Sequence, residues 1–273
     1  MSSLALPGAH LFYEQAGTGD PPLVFVHGLA CTHDDWQAQV EHFRCHHHVV
    51  ACDLPGHGAS SGEPARCTID TFGADVSALL HALDLPPAVL VGHSMGARVV
   101  LQAYVDTPQR VAGLVLVDGS RLSAGNPEVA AQAVRREMQA VGYRTFMEDF
   151  FTGMFMPGSD PALREHIVTR ALALPEAIGA ALFPRIAEWD ARSVEAALAQ
   201  VTVPLLVIQS TSIDPERVRV PLGPDASSPW VELVRRLVPG AQVETVSAAG
   251  HFVMMERPVV VNRCIEAFVS RLT

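Results

Sequence analysis

The stretch Val89-Leu90-Val91-Gly92-His93-Ser94-Met95-Gly96-Ala97-Arg98-Val99-Val100-Leu101 decides how the rest of the chain is read. An apolar run stops at a Gly-x-Ser-x-Gly, and a helical pattern starts at once. That succession predicts a buried strand, a very tight turn and a helix. The glycines at 92 and 96 suit a turn whose backbone is strained and whose flanks leave no room for a Cβ. Ser94 stands at the apex, facing the positive end of the helix that follows, with its hydroxyl clear of the sheet edge. A dinucleotide-binding turn would need glycines where Ser94 and Ala97 stand. A plain β-to-α turn with two glycines is the other reading of the bare motif, so the flanking chain has to decide.

Upstream, Leu23–Val26 is a continuous apolar run, the pattern of a central strand buried on both faces. It ends at His27-Gly28-Leu29-Ala30, where a glycine lets the backbone approach a ligand closely. The N–H groups of Leu29 or Ala30 are placed to face an oxyanion. Residues 32–43 predict a short helix with Trp36 and Val40 on one face. A strand then ends at Cys52-Asp53, a turn-rich loop runs over 53–62, and a helix is predicted over 70–83. Asp53 and His57 read as loop-holding residues. Downstream, Leu114–Val117 is another buried strand and ends in Asp118-Gly119. Strands alternating with helices in this way define an α/β doubly wound sheet. In such sheets ligands bind at the carboxyl ends of the strands, where His27, Asp53, Ser94 and Asp118 all fall.

Residues 121–200 change character. Helical stretches over 128–141, 163–174 and 193–201 carry no strand pattern, and Pro157, Pro161, Pro175 and Pro184 punctuate them. This predicts a helical cap lobe at 121–200, inserted into a core made of 1–120 and 201–273. Phe146, Met147, Phe150, Phe151, Met154, Phe155 and Met156 crowd one part of the lobe. At helical spacing they read either as core or as a pliable apolar wall over Ser94, with Phe150, Phe151 and Met154 as pocket candidates beside Trp36. Val203–Gln209 returns to strand, a polar proline-rich loop runs to Ser228, and Gln242–Val246 is the last strand. Gly250-His251 then places an imidazole on a loop at the same edge, ahead of a closing helix over 258–272.

Composition narrows the function classes. With 273 residues, 49% hydrophobic and 18% charged, one large globular unit is expected. A net charge of -10 argues against nucleic acid or an anionic membrane as partner. Five scattered cysteines fit free thiols, and the first residues lack the basic patch and apolar core of a signal peptide, so a cytoplasmic protein is expected. His42, His46, His47 and His48 crowd one strand entry, but adjacent strand residues point to opposite faces and do not converge on one ion.

Four motifs in order carry a resemblance to a known family: His27-Gly28, Asp53-Leu54-Pro55-Gly56-His57-Gly58, Gly92-His93-Ser94-Met95-Gly96 and Gly250-His251. They resemble the α/β-hydrolase superfamily, in its capped branch of esterases, lactonases and carbon–carbon bond hydrolases. The resemblance covers nearly the whole chain. It implies a mostly parallel eight-stranded sheet with helices on both faces. It also implies Ser94 as nucleophile, His251 as base, and the N–H groups of Leu29 and Met95 as oxyanion hole, with neither cofactor nor metal. For the acid, Asp118 after the strand that follows the elbow helix is preferred; Asp214 and Asp225 are the alternatives. The expected function is hydrolysis of a carboxylic ester, lactone or related carbonyl compound with an apolar part, a small-molecule substrate. A cofactor-free oxygenase or lyase using a His251–Asp118 dyad, and a small-ligand-binding module with weak turnover, are the competing readings. Substrate identity and oligomeric state are not legible.

Overall fold

The computed structural model describes residues 2–214 and 218–272. The central sheet has the order β1-β2-β4-β3-β5-β6-β7-β8. In chain order these strands are β1 (Ser2–Leu6), β2 (Ala9–Ala16), β3 (Leu23–Val26), β4 (Val49–Cys52), β5 (Ala88–His93), β6 (Val111–Val117), β7 (Leu205–Gln209) and β8 (Gln242–Thr245). A further two-residue segment, Ser61–Gly62, pairs with β2. The pairings of β2 are antiparallel; from β4 through β8 every pairing is parallel. β3, β5 and β7 are buried along their whole length, which is why they read as unbroken apolar runs. β1 alternates half-buried and exposed at the sheet edge and has no such run; its pairing with β2 was not legible.

Eleven α-helices accompany the sheet among the described residues. α1 (Gln37–Phe43), α2 (Ile69–Ala82) and α3 (Met95–Asp106) follow β3, β4 and β5 in the expected alternation. Between β6 and β7 there is no strand. Five helices fill the interval: α4 (Pro127–Val141), α5 (Tyr143–Thr152), α6 (Pro161–Ala173), α7 (Glu176–Arg192) and α8 (Val194–Ala199). α8 packs on α3. α9 (Pro229–Leu237), α10 (Val253–Glu256) and α11 (Pro258–Val269) complete the chain.

Two of the prolines read as breaks act as starts. Pro161 opens α6 and Pro175 caps α7, where a missing N–H costs nothing. Pro184 departs from expectation: it lies inside α7. A proline there removes one backbone hydrogen bond and costs about 3 kcal/mol. α7 offsets that cost by burying Ile178, Leu182, Phe183, Ile186 and Trp189 around it. The polar loop after β7 also holds structure, a small antiparallel ribbon of Thr211–Ile213 with Arg219–Pro221. Among the described residues no single helix is long and apolar enough to cross a membrane.

Candidate active site

The elbow is built by exclusion. A Cβ on Gly96 would run into the carbonyl oxygens of Val26 and His27, and one on Gly92 into the carbonyl of Gly96. A Cβ on Gly28 would lie 3.2 Å from that of Ser94. Only glycine lets β3, β5 and α3 meet this closely. Ser94 takes φ 56°, ψ −112°, a conformation that side chains resist, and its N–H is tied to the Val117 carbonyl at 3.0 Å. Met95 begins α3, so its N–H belongs to the first-turn amides that have no intrahelical acceptor.

The neighbouring strand end supplies the carboxylate. Asp118 follows β6, also at positive φ (42°), and is fully buried. Its Oδ1 accepts from the N–H groups of Ser210 and Thr211, both at 2.8 Å, and lies 2.9 Å from Ser210 Oγ. Its Oδ2 meets Thr211 Oγ1 at 2.5 Å, His251 Nδ1 at 2.6 Å and Arg219 Nη1 at 3.3 Å. Burial alone would raise this acid, but the His251 hydrogen bond and the positive groups around it hold it at about 2. Asp118 is therefore a carboxylate, and His251 Nδ1 must carry a proton to donate to it. That leaves Nε2 as the imidazole's lone-pair nitrogen, and Nε2 is buried without a hydrogen-bond partner among the described residues. Burial, reinforced by Arg219 and opposed by Asp118, lowers His251 to about 4, so the ring is neutral at pH 7.

His251 and Ser94 line the same small chamber, with Gly28, Leu29, Met95, Phe150, Phe151, Met154, Phe183, Ile186, Phe252 and Arg219 among its other walls. The chamber holds about 20 Å³, roughly the room of one water. Beside it lies an outer cavity of about 980 Å³. Ser120, Leu122, Phe150, Phe183 and Arg219 line both, so they form the partition between them.

The Phe/Met stripe thus divides its work. Met147 is core, whereas Phe150, Phe151 and Met154 wall the chamber. Three sequence candidates fall elsewhere. Trp36 is not a pocket residue: it is fully buried against Phe25, ring centroids 5.0 Å apart, because the face it shares with Val40 packs on the sheet. Asp214 is not the partner of His251: it accepts from the Val218 N–H of the ribbon at 2.8 Å. Asp225 lies exposed ahead of α9. Asp53 holds its loop, accepting from the N–H groups of His33 and Ala59 at 2.7 and 2.8 Å. His93 supports the base from below, its Nε2 donating to the His251 carbonyl at 2.9 Å.

Two arginines escape a reading of the sequence. Arg98 reads as a grip for a substrate carboxylate or as a surface or loop residue, yet it is buried, pairing with Asp190 of α7 through Nε and Nη2, both at 2.7 Å. Its Nη1 also donates to the Ser94 carbonyl at 3.1 Å and its Nη2 to the Ser120 carbonyl at 2.6 Å. Arg219 lies in what reads as loop. The alternation Arg217-Val218-Arg219-Val220 was the available strand signal, too short to stand out.

A mostly parallel sheet with a strained serine elbow, a carboxylate at the next strand end and a late histidine defines a class of fold and site. The chain belongs to the alpha/beta hydrolase family, whose profile matches residues 23–263. It is 29% identical over 266 residues to 3-oxoadipate enol-lactonase 2 of Acinetobacter baylyi, covering 96% of this chain and 93% of that protein. It is 32% identical over 275 residues to the dihydrolipoyllysine-residue acetyltransferase component of the acetoin cleaving system of Pseudomonas putida, covering 95% of this chain and 66% of that protein. Among solved structures, a thermophilic esterase from Thermogutta terrifontis superposes with a TM-score of 0.78 at 27% identity, covering 99% of this chain and 97% of that one. The matches span only 66%, 41%, 37% and 41% of the length of four curated relatives.

Proposed function

We propose that this chain is a serine hydrolase that cleaves a carboxylic ester, lactone or related carbonyl substrate with an apolar part, through Ser94, His251 and Asp118. The observation that carries the reading is the 2.6 Å contact of His251 Nδ1 with Asp118, which leaves Nε2 unpartnered in the wall of the chamber that Ser94 also lines. The hydrolase, esterase and lactonase names among its relatives support it. In this mechanism Nε2 takes the Ser94 hydroxyl proton as Oγ attacks the acyl carbon. The N–H groups of Leu29 and Met95 receive the oxyanion, a donor of this kind being worth about 3 kcal/mol in the transition state. The imidazolium then protonates the leaving oxygen. Water, deprotonated by the same nitrogen, releases the acyl group and restores Ser94. Residues 121–200 serve as the cap that walls the substrate in, on the core of 1–120 and 201–273.

A fluorophosphonate probe tests this together with a series of short and medium 4-nitrophenyl esters. Labelling at Ser94, turnover of at least one ester, and loss of both in Ser94→Ala are expected. Absence of labelling and of turnover in the native chain overturns the reading and favours a ligand-binding module. Oxygen consumption with a heteroaromatic substrate that survives Ser94→Ala would favour the oxygenase instead.

A further inference from the structure

Arg219 is the charged group at the partition. Its side chain is 8% exposed and lines both the Ser94 chamber and the outer cavity. Nη1 is committed, donating to Thr211 Oγ1 at 2.6 Å and lying 3.3 Å from Asp118 Oδ2. Among the described residues Nε and Nη2 have no protein partner. Neither is among the fully enclosed polar atoms that lack one, so both reach open space. The Nε–Nη2 edge of a guanidinium presents two parallel N–H donors, the fork that matches a carboxylate.

Neutralising Asp118 does not explain that free edge. One nitrogen at 3.3 Å is a poor use of a five-donor group withdrawn from water, and the same Oδ2 already accepts from His251 and Thr211. Neither of the other arginines of the outer cavity lines the Ser94 chamber. Arg121 reaches Glu195 at 2.6 Å and Arg236 reaches it at 3.7 Å. The remaining chamber walls are mostly apolar, with Phe150, Phe151, Met154, Phe183 and Ile186 among them. A ligand group that meets the open edge of Arg219 is therefore anionic and planar, and reaches it across apolar surface from the carbon that Ser94 attacks.

We propose that the substrate carries a carboxylate, separated by a short apolar spacer from its scissile ester or lactone carbonyl, and that Arg219 binds that carboxylate through Nε and Nη2. The proposal rests on the serine-hydrolase reading for the position of the scissile bond. It makes Arg219 a specificity residue at the boundary of the two cavities, and it makes the acyl-transfer site selective for half-acids over neutral esters.

Two matched pairs test it: monomethyl adipate against methyl hexanoate, which place the carboxylate on the acyl side, and 6-acetoxyhexanoate against hexyl acetate, which place it on the alcohol side. In at least one pair the acid is expected to exceed its neutral partner in kcat/KM by about tenfold or more, the discrimination one charge-assisted hydrogen bond supplies. In Arg219→Gln that ratio should fall towards one. A merely structural role would lower both members of a pair alike and leave the ratio standing. Calorimetric titration with adipate reads the same contact without turnover: binding to the native chain, lost in Arg219→Gln. If neutral esters turn over, no acid is preferred and adipate does not bind, the proposal is overturned while the hydrolase reading survives. If no ester is cleaved but adipate binds through Arg219, the hydrolase reading fails and the anion site stands.

Discussion

Replacing Asp118 with asparagine tests the role proposed for this acid, because the structure dictates how the amide must sit. Oδ1 faces two backbone N–H groups at 2.8 Å, those of Ser210 and Thr211. An amide NH₂ placed there would oppose two donors that cannot turn away. The side-chain nitrogen introduced by Asp118→Asn must therefore take the Oδ2 position, opposite His251 Nδ1 at 2.6 Å. Nδ1 then has to accept, the ring proton moves to Nε2, and the atom proposed to take the serine proton no longer has a lone pair. A wrong tautomer of this kind lowers kcat by about ten-thousandfold, about 5.5 kcal/mol of barrier. KM should change little, because Asp118 lies behind the imidazole and outside the chamber wall. Arg219 also loses the anion 3.3 Å from its Nη1, which lowers stability as well. The assays are the rate of fluorophosphonate labelling at Ser94, kcat on a 4-nitrophenyl ester that the native chain cleaves, and urea unfolding of the same sample. An Asp118→Asn chain that labels and turns over within tenfold of native refutes the reasoning, since the tautomer would then be set by some other group.

Three further outcomes follow from the buried charges. His27, His57 and His251 are held at about 3, about 4 and about 4, in each case chiefly by burial. A histidine depressed in the fold stabilises it fully above its unfolded value near 6.5, and that contribution is lost as pH falls towards the folded value. His33, raised by its Asp53 hydrogen bond, has the opposite sign. The urea midpoint should drop steadily from pH 7 to pH 4.5; a flat midpoint over that window contradicts the burial argument. Asp118, Arg219, Arg98 and His93 are the charged and titratable groups acting on His251, and Arg219→Gln removes one positive charge, so the acid limb of kcat/KM should move to higher pH. In Arg98→Met, Asp190 loses its cationic partner while fully buried and keeps only the Leu122 N–H at 2.6 Å. Breaking such a pair costs about 3–5 kcal/mol, to be read as a lower thermal midpoint, and a loss below about 1 kcal/mol would show the pair to be dispensable.

The central strands were legible because burial on both faces leaves an unbroken apolar run, as at Leu114–Val117. Ser94 and Asp118 were legible because each follows such a strand and strand ends converge at one edge, whereas His251 follows the half-buried polar strand Gln242–Thr245 and was marked by the Gly250-His251 pair. What was hidden depends on partners far along the chain. Trp36 has the same helical spacing whether it faces a ligand or Phe25, and only the packing decides. Arg98 and Asp190 are 92 residues apart, and neither reads as buried until α7 is laid over the elbow. Pro184 misleads because helix propensity is local whereas the burial that overrides it is not. Arg219 sits on a three-residue strand, too short for any periodicity to register.

The void at Ser94, about 20 Å³ against about 980 Å³ next door, has a kinetic consequence. An acyl chain of several carbons does not fit the space as it stands, so its arrival has to push Phe150 and Phe183 aside. Selection by chain length then becomes a matter of how far those rings yield, and less of the shape of a preformed mould. Bulky covalent inhibitors should accordingly show slow onset, with the delay set by ring displacement ahead of the bond-forming step.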